Sequence, residues 1–556
     1  MPSPFRLLLK LFRDRFLEND TVSPGGGFQT NIYQVLGILA TVGMFVGYYV
    51  MPQFMVRSLR PALARTDWTL QTLRMFFPAY SFGVAGLTAL FYWDMLFPDR
   101  RDFLILAPFP IRLRQLIAAK FLALVLFLLL LAAAVNVAPD LMVLLVGLFF
   151  PGLRSAGLRL TAAQMAATGG ASAFAFLIII GAQGILINVT STRIFRRISP
   201  WFQMFGMSAM ILTVLGFPVY SAFLRPAVEQ QQLWLYLFPP VWFSGLYQLF
   251  LGGQNQFLAS LGMLAIKMTV LAISVIFVTW EFGFRRHFRR TLEAEDAAHP
   301  PRAWSAPNWL LRSSQERALF GFVGKTLARS QKHQFLLAVY LSVGVSIALF
   351  FGVAVRDGKI ELSPDGDRSV AFVIGFFVIS GFRGVFQFPA ELASNWLFRI
   401  TESRWTEVSR SATRKLVLTI GLLPLLIFSL PLEIVSLKTG SWNWLIVLEH
   451  SAVQLIAAGL LVELLFWNFD KVPFTCSYFP GTTSLAVLGV LYIYGITGYS
   501  FHMADLESAM ERHWTLAVLF FAAGAVALIL SWRRQPAASG VRFDGSEPVI
   551  QSLELS

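Results

Sequence analysis

The composition of this 556-residue chain excludes most classes of soluble protein. Hydrophobic residues make up 56% of the sequence and charged residues only 14%, whereas soluble domains carry about a quarter charged residues. We therefore expect a polytopic membrane protein. The net charge of +14 comes largely from short basic loops beside apolar runs, a pattern that sets orientation and attracts anionic lipid headgroups. Membrane lipids are thus expected partners, and nucleic acid is not.

The sequence also argues against metal and redox chemistry. It contains one cysteine, Cys476, and six histidines, which excludes an internal disulfide framework and a zinc cluster of thiolates. No histidine pair has the spacing of a zinc protease. We predict no catalytic group, metal site or cofactor-binding site on this chain.

Residues 1–30 form a basic, amphipathic N-terminal segment. They lack the continuous apolar core and small-residue cleavage site of a signal peptide, and we expect them to lie along the membrane surface. A first transmembrane half, residues 31–280, follows with six apolar runs near the length of a membrane helix. The runs lie near residues 32–50, 75–93, 121–137, 169–187, 202–223 and 262–280.

A charged elbow, residues 94–120, joins the second and third runs. Each of its charges would cost about 2.5–3.5 kcal/mol in hydrocarbon, so this part must lie outside the membrane core. Prolines prevent the elbow from continuing either flanking helix, and a short surface helix anchored by Phe103 is predicted. The alternative is an ordinary polar turn whose charges only set topology. The charged residues are Asp99, Arg100, Arg101 and Asp102.

Residues 233–254 are apolar and aromatic but contain Pro239-Pro240 and Gly252-Gly253. Such an interrupted segment is not expected to span the membrane. Irregular backbone at membrane depth is tolerated only where protein or a cavity surrounds it, which favours a re-entrant helical hairpin. An aromatic belt at the membrane interface is the alternative.

Residues 281–334 are predicted to be a cytosolic linker that ends in a second amphipathic segment. Within it, residues 321–326 (GFVGKT) resemble a phosphate-binding loop, but Leu319 stands where that loop requires a glycine. No nucleotide-binding fold surrounds the segment. Any ATP chemistry must therefore come from another chain.

A second transmembrane half, residues 335–532, mirrors the first. Its second run also opens onto an elbow, residues 388–415, in which Glu391, Trp396 and Arg399 are candidate docking residues; Arg399 alternatively pairs with Glu402 in its own helix. Residues 533–556 are a cytosolic tail that is expected to be disordered. The six runs lie near residues 335–355, 370–388, 416–432, 445–467, 485–499 and 514–532.

The predicted fold is all-α, with about 12 transmembrane helices in two similar six-helix halves. Basic clusters at residues 193–197, 285–290 and 533–534 place both termini and the linker in the cytosol by the positive-inside rule. The basic residues between 57 and 74 break this rule. Either that segment lies along the interface or the first helix is placed wrongly.

Charged residues within apolar runs are candidates for a substrate path or an intramembrane pair. Lys267, Arg383 and Glu463 have this position. Lys267 is expected to be the deepest and the best candidate for a buried pair. Arg383 can instead snorkel to the surface, and Glu463 lies near a helix end. Glu449 and His450 are expected to be interfacial.

Five segments together resemble the permeases of bacterial ABC exporters of the type 2 class, in a fused twelve-helix form. This resemblance implies an amphipathic connecting helix before each half, a coupling helix after the second helix of each half, and re-entrant helices between the fifth and sixth. Residues 501–513 are too short for a full hairpin in the second half. The segments are residues 97–120, 238–253, 322–333, 388–402 and 472–481.

The resemblance also implies a function. Two copies of a separate ATPase subunit would drive alternating access from the cytosolic side of a bacterial inner membrane, with ATP bound only to that partner. The substrate is unidentified; the apolar helices suit an amphiphilic or lipid-like molecule, but any bilayer-facing surface is equally apolar. Two other classes stay open from the sequence: an ion-coupled secondary transporter and a membrane-embedded lipid-modifying enzyme.

Overall fold

The computed structural model of the chain divides into two compact units, Met1–Ala297 and Ala298–Ser556. The boundary between the units falls within the predicted linker. The structure describes residues 4–17, 67–96, 109, 113–149, 154–252, 255–293, 311, 313–356, 359–363, 366–388, 390, 398, 405–440, 442–467, 469, 472–475, 495 and 497–533.

The regular structure described in the first unit is helical. The helices are α1 (Pro4–Leu17), α2 (Asp67–Phe91), α3 (Leu113–Phe149), α4 (Arg154–Val189), α5 (Thr192–Leu215), α6 (Phe217–Glu229), α7 (Pro239–Leu251) and α8 (Gln256–Glu293). One helical turn, Trp93–Leu96, follows α2, and a 3-10 turn, Leu233–Leu237, precedes α7.

Helix α4 lies at the centre of the first unit, where it packs against α2, α3, α7 and α8. An alanine stands at every fourth position from Ala163 to Ala175, and these alanines are completely buried. Residues four apart share one helix face. Small residues on that face let neighbouring backbones approach closely, which explains how several helices fit around α4.

The segment predicted to be re-entrant contains the 3-10 turn and the short helix α7, and another short helix, α6, precedes it. Helices α6 and α7 have 13 residues each, about 20 Å at 1.5 Å per residue, which is too short for a hydrocarbon core of about 30 Å. Pro239 and Pro240 begin α7, where the missing N–H of proline is not needed. Most of α7 is buried against α2, α4 and α8, whereas Leu233, Trp234, Tyr236 and Leu237 in the preceding turn are exposed.

The second unit contains seven helices among the residues that the structure describes, together with a π-helical turn, Thr497–Phe501. The helices are α9 (Ser314–Arg329), α10 (Gln331–Gly352), α11 (Gly366–Val385), α12 (Trp405–Thr439), α13 (Trp444–Leu465), α14 (His502–Arg512) and α15 (Trp514–Arg533). Helix α11 is central and nearly all buried, because apolar and small residues surround its whole circumference. It packs against α10, α12 and α13.

A two-stranded antiparallel hairpin corrects the all-α prediction locally. Strand β1 (Val353–Arg356) pairs with β2 (Lys359–Leu362), with Val353 opposite Leu362. The seventh apolar run was predicted to continue to Val355, but α10 ends at Gly352. The sequence alternates β-branched and other residues on both sides of an Asp-Gly pair, which is a typical hairpin pattern.

Nine helices are long and apolar enough to cross a membrane among the residues that the structure describes. Each overlaps one of the predicted runs, and together they indicate a membrane-embedded, mainly helical protein. The nine spans are Ala118–Leu145, Leu158–Val189, Arg197–Leu215, Gln256–Trp280, Lys332–Leu349, Arg368–Val385, Val408–Lys438, Trp444–Leu465 and Trp514–Arg533.

The other three predicted runs have different outcomes. The run at 75–93 corresponds to α2, which is long enough to cross a membrane. Its serine, glycine, tyrosine and proline residues lower its mean hydropathy, and it is not among the nine. The run at 32–50 and most of the run at 485–499 lie outside the described residues.

Helices α3 and α4 extend well beyond the predicted third and fourth runs. The third run was predicted to end at Val137, but α3 has 37 residues and continues through Pro139 to Phe149. Helix α4 has 36 residues and begins at Arg154. At 1.5 Å per residue each helix is about 55 Å long, which exceeds a hydrocarbon core of about 30 Å.

Candidate functional site

The residues predicted to dock an ATPase lie outside the part of the chain that the structure describes. They are Asp99, Arg100, Arg101, Asp102, Phe103, Glu391, Trp396 and Arg399. Their roles stay predictions. The structure does describe the helices that flank both elbows, and the polar contacts there show how each elbow is attached to its unit.

Glu463 forms a buried ion pair with Arg414. The carboxylate of Glu463, on α13, accepts a hydrogen bond from Nη2 of Arg414, on α12. The two residues are only 6% and 8% exposed. Charges at such depth are stable only when paired, so this pair fixes α12 against α13.

A second polar contact joins α9 to α12. Glu316 is 3% exposed, and its Oε1 lies 2.6 Å from Nζ of Lys415 and 2.5 Å from Oγ of Ser411. Residues 411 and 415 are one turn apart on α12 and therefore face α9 together. We call Glu316, Ser411, Arg414, Lys415 and Glu463 the α12 network.

Arg383 caps the end of α13. Its Nε donates a hydrogen bond to the carbonyl of Leu465, the last residue of α13, at 3.0 Å. Its guanidinium carbon lies 4.7 Å from the ring centroid of Phe469. A cation at a helix C-terminus is favoured because the final carbonyls lack partners within the helix. This contact directs Arg383 towards protein and differs from the snorkelling alternative.

The chain just after α11 is bound to two other segments. The N–H of Phe474 donates to the carbonyl of Phe386 at 3.1 Å, and the N–H of Ala390 donates to the carbonyl of Phe474 at 3.0 Å. Nε2 of His333, on α10, lies 3.1 Å from the carbonyl oxygen of Phe388. The start of the second elbow is therefore held by backbone and side-chain hydrogen bonds.

The first unit has a related arrangement beside its own elbow. Leu8 and Phe12 are the buried face of amphipathic α1, which packs on α3. Nζ of Lys120, on α3, lies 5.4 Å from the ring centroid of Phe12, within range of a cation–π contact. Nε2 of Gln183, on α4, donates to the carbonyl of Trp93 at 2.8 Å, which holds the chain at the start of the elbow.

Lys267 differs from its predicted environment. Its side chain is exposed on α8, whereas the sequence favoured a buried pair. The apolar residues around Lys267 indicated a position deep in the membrane, but they did not indicate which face of α8 packs against protein. Ile266, Val270 and Leu271 are exposed beside it.

A second polar cluster lies at the opposite end of the second unit from the α12 network along α13. Nδ1 of His450 lies 2.7 Å from Oε1 of Glu507 on α14, and both residues are completely buried. Arg368, on α11, donates three hydrogen bonds to Glu511 and lies over the ring of Trp442. His450 is therefore buried in the protein core, near the start of α13.

The segment that resembles a phosphate-binding loop is part of a continuous helix. Residues 321–326 lie inside α9, whose N-cap is Ser313. A phosphate loop instead needs non-helical backbone whose N–H groups surround the phosphate. No group of three or more metal-ligating side chains occurs among the residues with described positions.

The chain matches no protein-family model, no curated protein and no solved structure. Its function must therefore be inferred from its own residues and their packing.

Proposed function

We propose that this chain is the permease of an ATP-binding cassette exporter of the type 2 class, with twelve transmembrane helices in two similar six-helix halves. A separate ATPase, present in two copies, binds the cytosolic elbows and drives alternating access of an amphiphilic or lipid-like substrate. The membrane is the bacterial inner membrane, with both termini in the cytosol. The observation that carries this proposal is a helix-packing pattern that recurs in both units.

The recurring pattern involves corresponding helices. In the first unit α2, α3 and α4 pack together, α1 packs on α3, and α8 packs on α4. In the second unit α11, α12 and α13 pack together, α9 packs on α12, and α15 packs on α13. The short helix before the last helix, α7 or α14, packs on that helix and on α2 or α11. A duplicated plan supports the two-half architecture that the resemblance implies.

The contacts of the second elbow suggest how a movement of the two ATPase subunits is transmitted to the membrane helices. At the start of the elbow, Phe386 and Phe388 are hydrogen-bonded to Phe474 and His333. At its end, the α12 network connects α12 to α9 and α13. A ligand shifts a conformational equilibrium only through different contacts in the two states. A force on the elbow would act directly on α10, α12 and α13.

Buried carboxyl groups keep an ion-coupled transporter as a second candidate. Asp140, Glu463 and Glu507 are all nearly inaccessible, and buried acids are typical of proton relays in such carriers. Glu463 and Glu507 have basic partners, which favours a structural role for them. Transport that needs a proton or sodium gradient and no ATPase would favour this second class.

ATP hydrolysis tests the proposed function. The chain purified alone is expected to show no ATPase activity, because it contributes no nucleotide site. The chain affinity-purified from its native membranes in mild detergent is expected to carry a soluble-type ATPase and to hydrolyse ATP. Saturable ATP binding by the isolated chain, lost on Lys325→Ala, would contradict the assignment of ATP to a partner.

Cysteine labelling tests the orientation. In a Cys476→Ser background, Gln230→Cys, in the exposed turn after α6, is expected to react with an impermeant maleimide in intact cells. Ala328→Cys, exposed on α9, is expected to react only after the membrane is permeabilised. Labelling of Ala328→Cys in intact cells would invert the predicted topology.

Glu316→Gln tests the coupling role of the α12 network. The substitution keeps the side-chain shape but removes the charge beside Lys415, so we expect weaker attachment of α9 to α12. In reconstituted vesicles, transport per ATP hydrolysed should fall several-fold while membrane insertion is unchanged. Lys325→Ala, an exposed change on the same helix, is the matched control and should retain parental coupling. Equal coupling in both variants would show that this contact has no such role.

A further inference from the structure

A ladder of polar side chains crosses the contact between α3 and α4. Nδ2 of Asn136, on α3, donates to Oγ of Ser172, on α4, at 3.0 Å. One turn further along, Asp140 faces Thr168, with Oγ1 of Thr168 lying 3.3 Å and 3.4 Å from the two carboxyl oxygens. Residues 136 and 140 share one face of α3, and residues 168 and 172 share one face of α4.

Asp140 is buried without a basic partner among the described residues. It is 7% exposed, and Thr168 is the one described side chain that hydrogen-bonds it. Arg159, on α4, donates to the carbonyl of Phe250, and Arg74, on α2, lies over the ring of Tyr247. Lys120, on α3 itself, is 20 residues away, about 30 Å along the helix. An isolated carboxylate at this depth is strongly disfavoured.

The hydrogen of Thr168 is already used elsewhere. Oγ1 of Thr168 lies 2.9 Å from the carbonyl oxygen of Gln164, a normal distance for a donated hydrogen bond. A hydroxyl has one hydrogen, so its lone pairs face Asp140. A hydroxyl that donated to a carboxylate would approach to about 2.5–2.7 Å. Separations of 3.3 Å and 3.4 Å are too long for a strong O–H···O hydrogen bond, so Thr168 does little to stabilise a negative charge on Asp140.

We propose that Asp140 is a proton-binding site. In this conformation its carboxyl group carries the proton and is neutral. The carboxyl group loses this proton and becomes a negatively charged carboxylate only when α3 and α4 separate enough for water to reach it. Closure of this helix contact is therefore linked to uptake of one proton, independently of whether an ATPase drives the protein.

Infrared spectroscopy of the full chain in lipid nanodiscs at neutral pH tests this site. The spectrum is expected to contain a carbonyl band of a protonated carboxylic acid that disappears in Asp140→Asn. Thr168→Val should keep this band, because the carboxyl group stays buried without a basic partner. Asp505→Asn, at an exposed acid on α14, is the control and should leave the band unchanged.

Two results would overturn the proposal. One is identical spectra for the parent and Asp140→Asn, together with correct folding of both, since the carboxyl group would then be ionised. The other is saturable binding of radioactive sodium that is lost in Asp140→Asn in the absence of an acid band. That outcome would assign the site to a monovalent cation instead of a proton.

Discussion

Arg414→Met is expected to destabilise the second unit by about 3–5 kcal/mol, because it leaves the buried carboxylate of Glu463 without its partner. Fluorescence-detected thermal unfolding in detergent should show a clearly lowered midpoint. The double variant Arg414→Met, Glu463→Met should recover most of the loss, since replacing both charges of a buried pair by apolar groups is often neutral.

The control for these variants is Lys438→Met, at an exposed residue on the same helix. It should leave the unfolding midpoint at the parental value. If the single and double variants unfold at the same temperature, the ion pair does not determine the stability of the α12–α13 contact. A double variant with parental stability but lost transport would instead indicate that the charges serve function beyond packing.

Gly245→Ala is expected to separate α7 from α8. A β-carbon at this position would lie 2.2 Å from the carbonyl oxygen of Leu258 and 2.6 Å from the backbone nitrogen of Gly262. Both are backbone atoms of α8, so no side chain can turn aside to relieve the overlap. We expect destabilisation at or above the upper end of the usual overpacking range of about 1–3 kcal/mol, measured by thermal unfolding.

Gly169→Ala provides the matched control in the same unit. A β-carbon there has no atom within 4 Å, and replacing a helical glycine by alanine usually stabilises by about 0.5–1 kcal/mol. Parental stability of Gly245→Ala would mean that α7 and α8 do not meet through their backbones. Such a result would also weaken the description of α7 as a buried short helix.

Length and apolar content were enough to predict the nine candidate membrane spans found among the described residues, because a hydrocarbon core imposes about 20 apolar residues on each helix. The double proline at Pro239-Pro240 likewise predicted a break, since proline fixes its own backbone and cannot donate a hydrogen bond. These signals are local. They depend on neighbouring residues and need no knowledge of which helices meet.

The polar contacts could not be predicted because they join distant positions. Arg414 and Glu463 are 49 residues apart, and His450 and Glu507 are 57 apart. Helical periodicity shows which residues share a face but not which face meets another helix, which is why Lys267 was expected inside. Asp140 was missed for a different reason, because the third run was predicted to end at Val137, whereas the helix α3 continues through Pro139 to Phe149.

Native mass spectrometry of the detergent-purified assembly tests the central proposal most directly. The predicted mass is that of one 62.2 kDa chain plus two copies of one ATP-binding subunit, and the ATP-binding subunits should dissociate before the membrane chain unfolds. A mass explained entirely by one or more copies of this chain, from membranes in which transport is active, would contradict the proposal that a separate ATPase powers it.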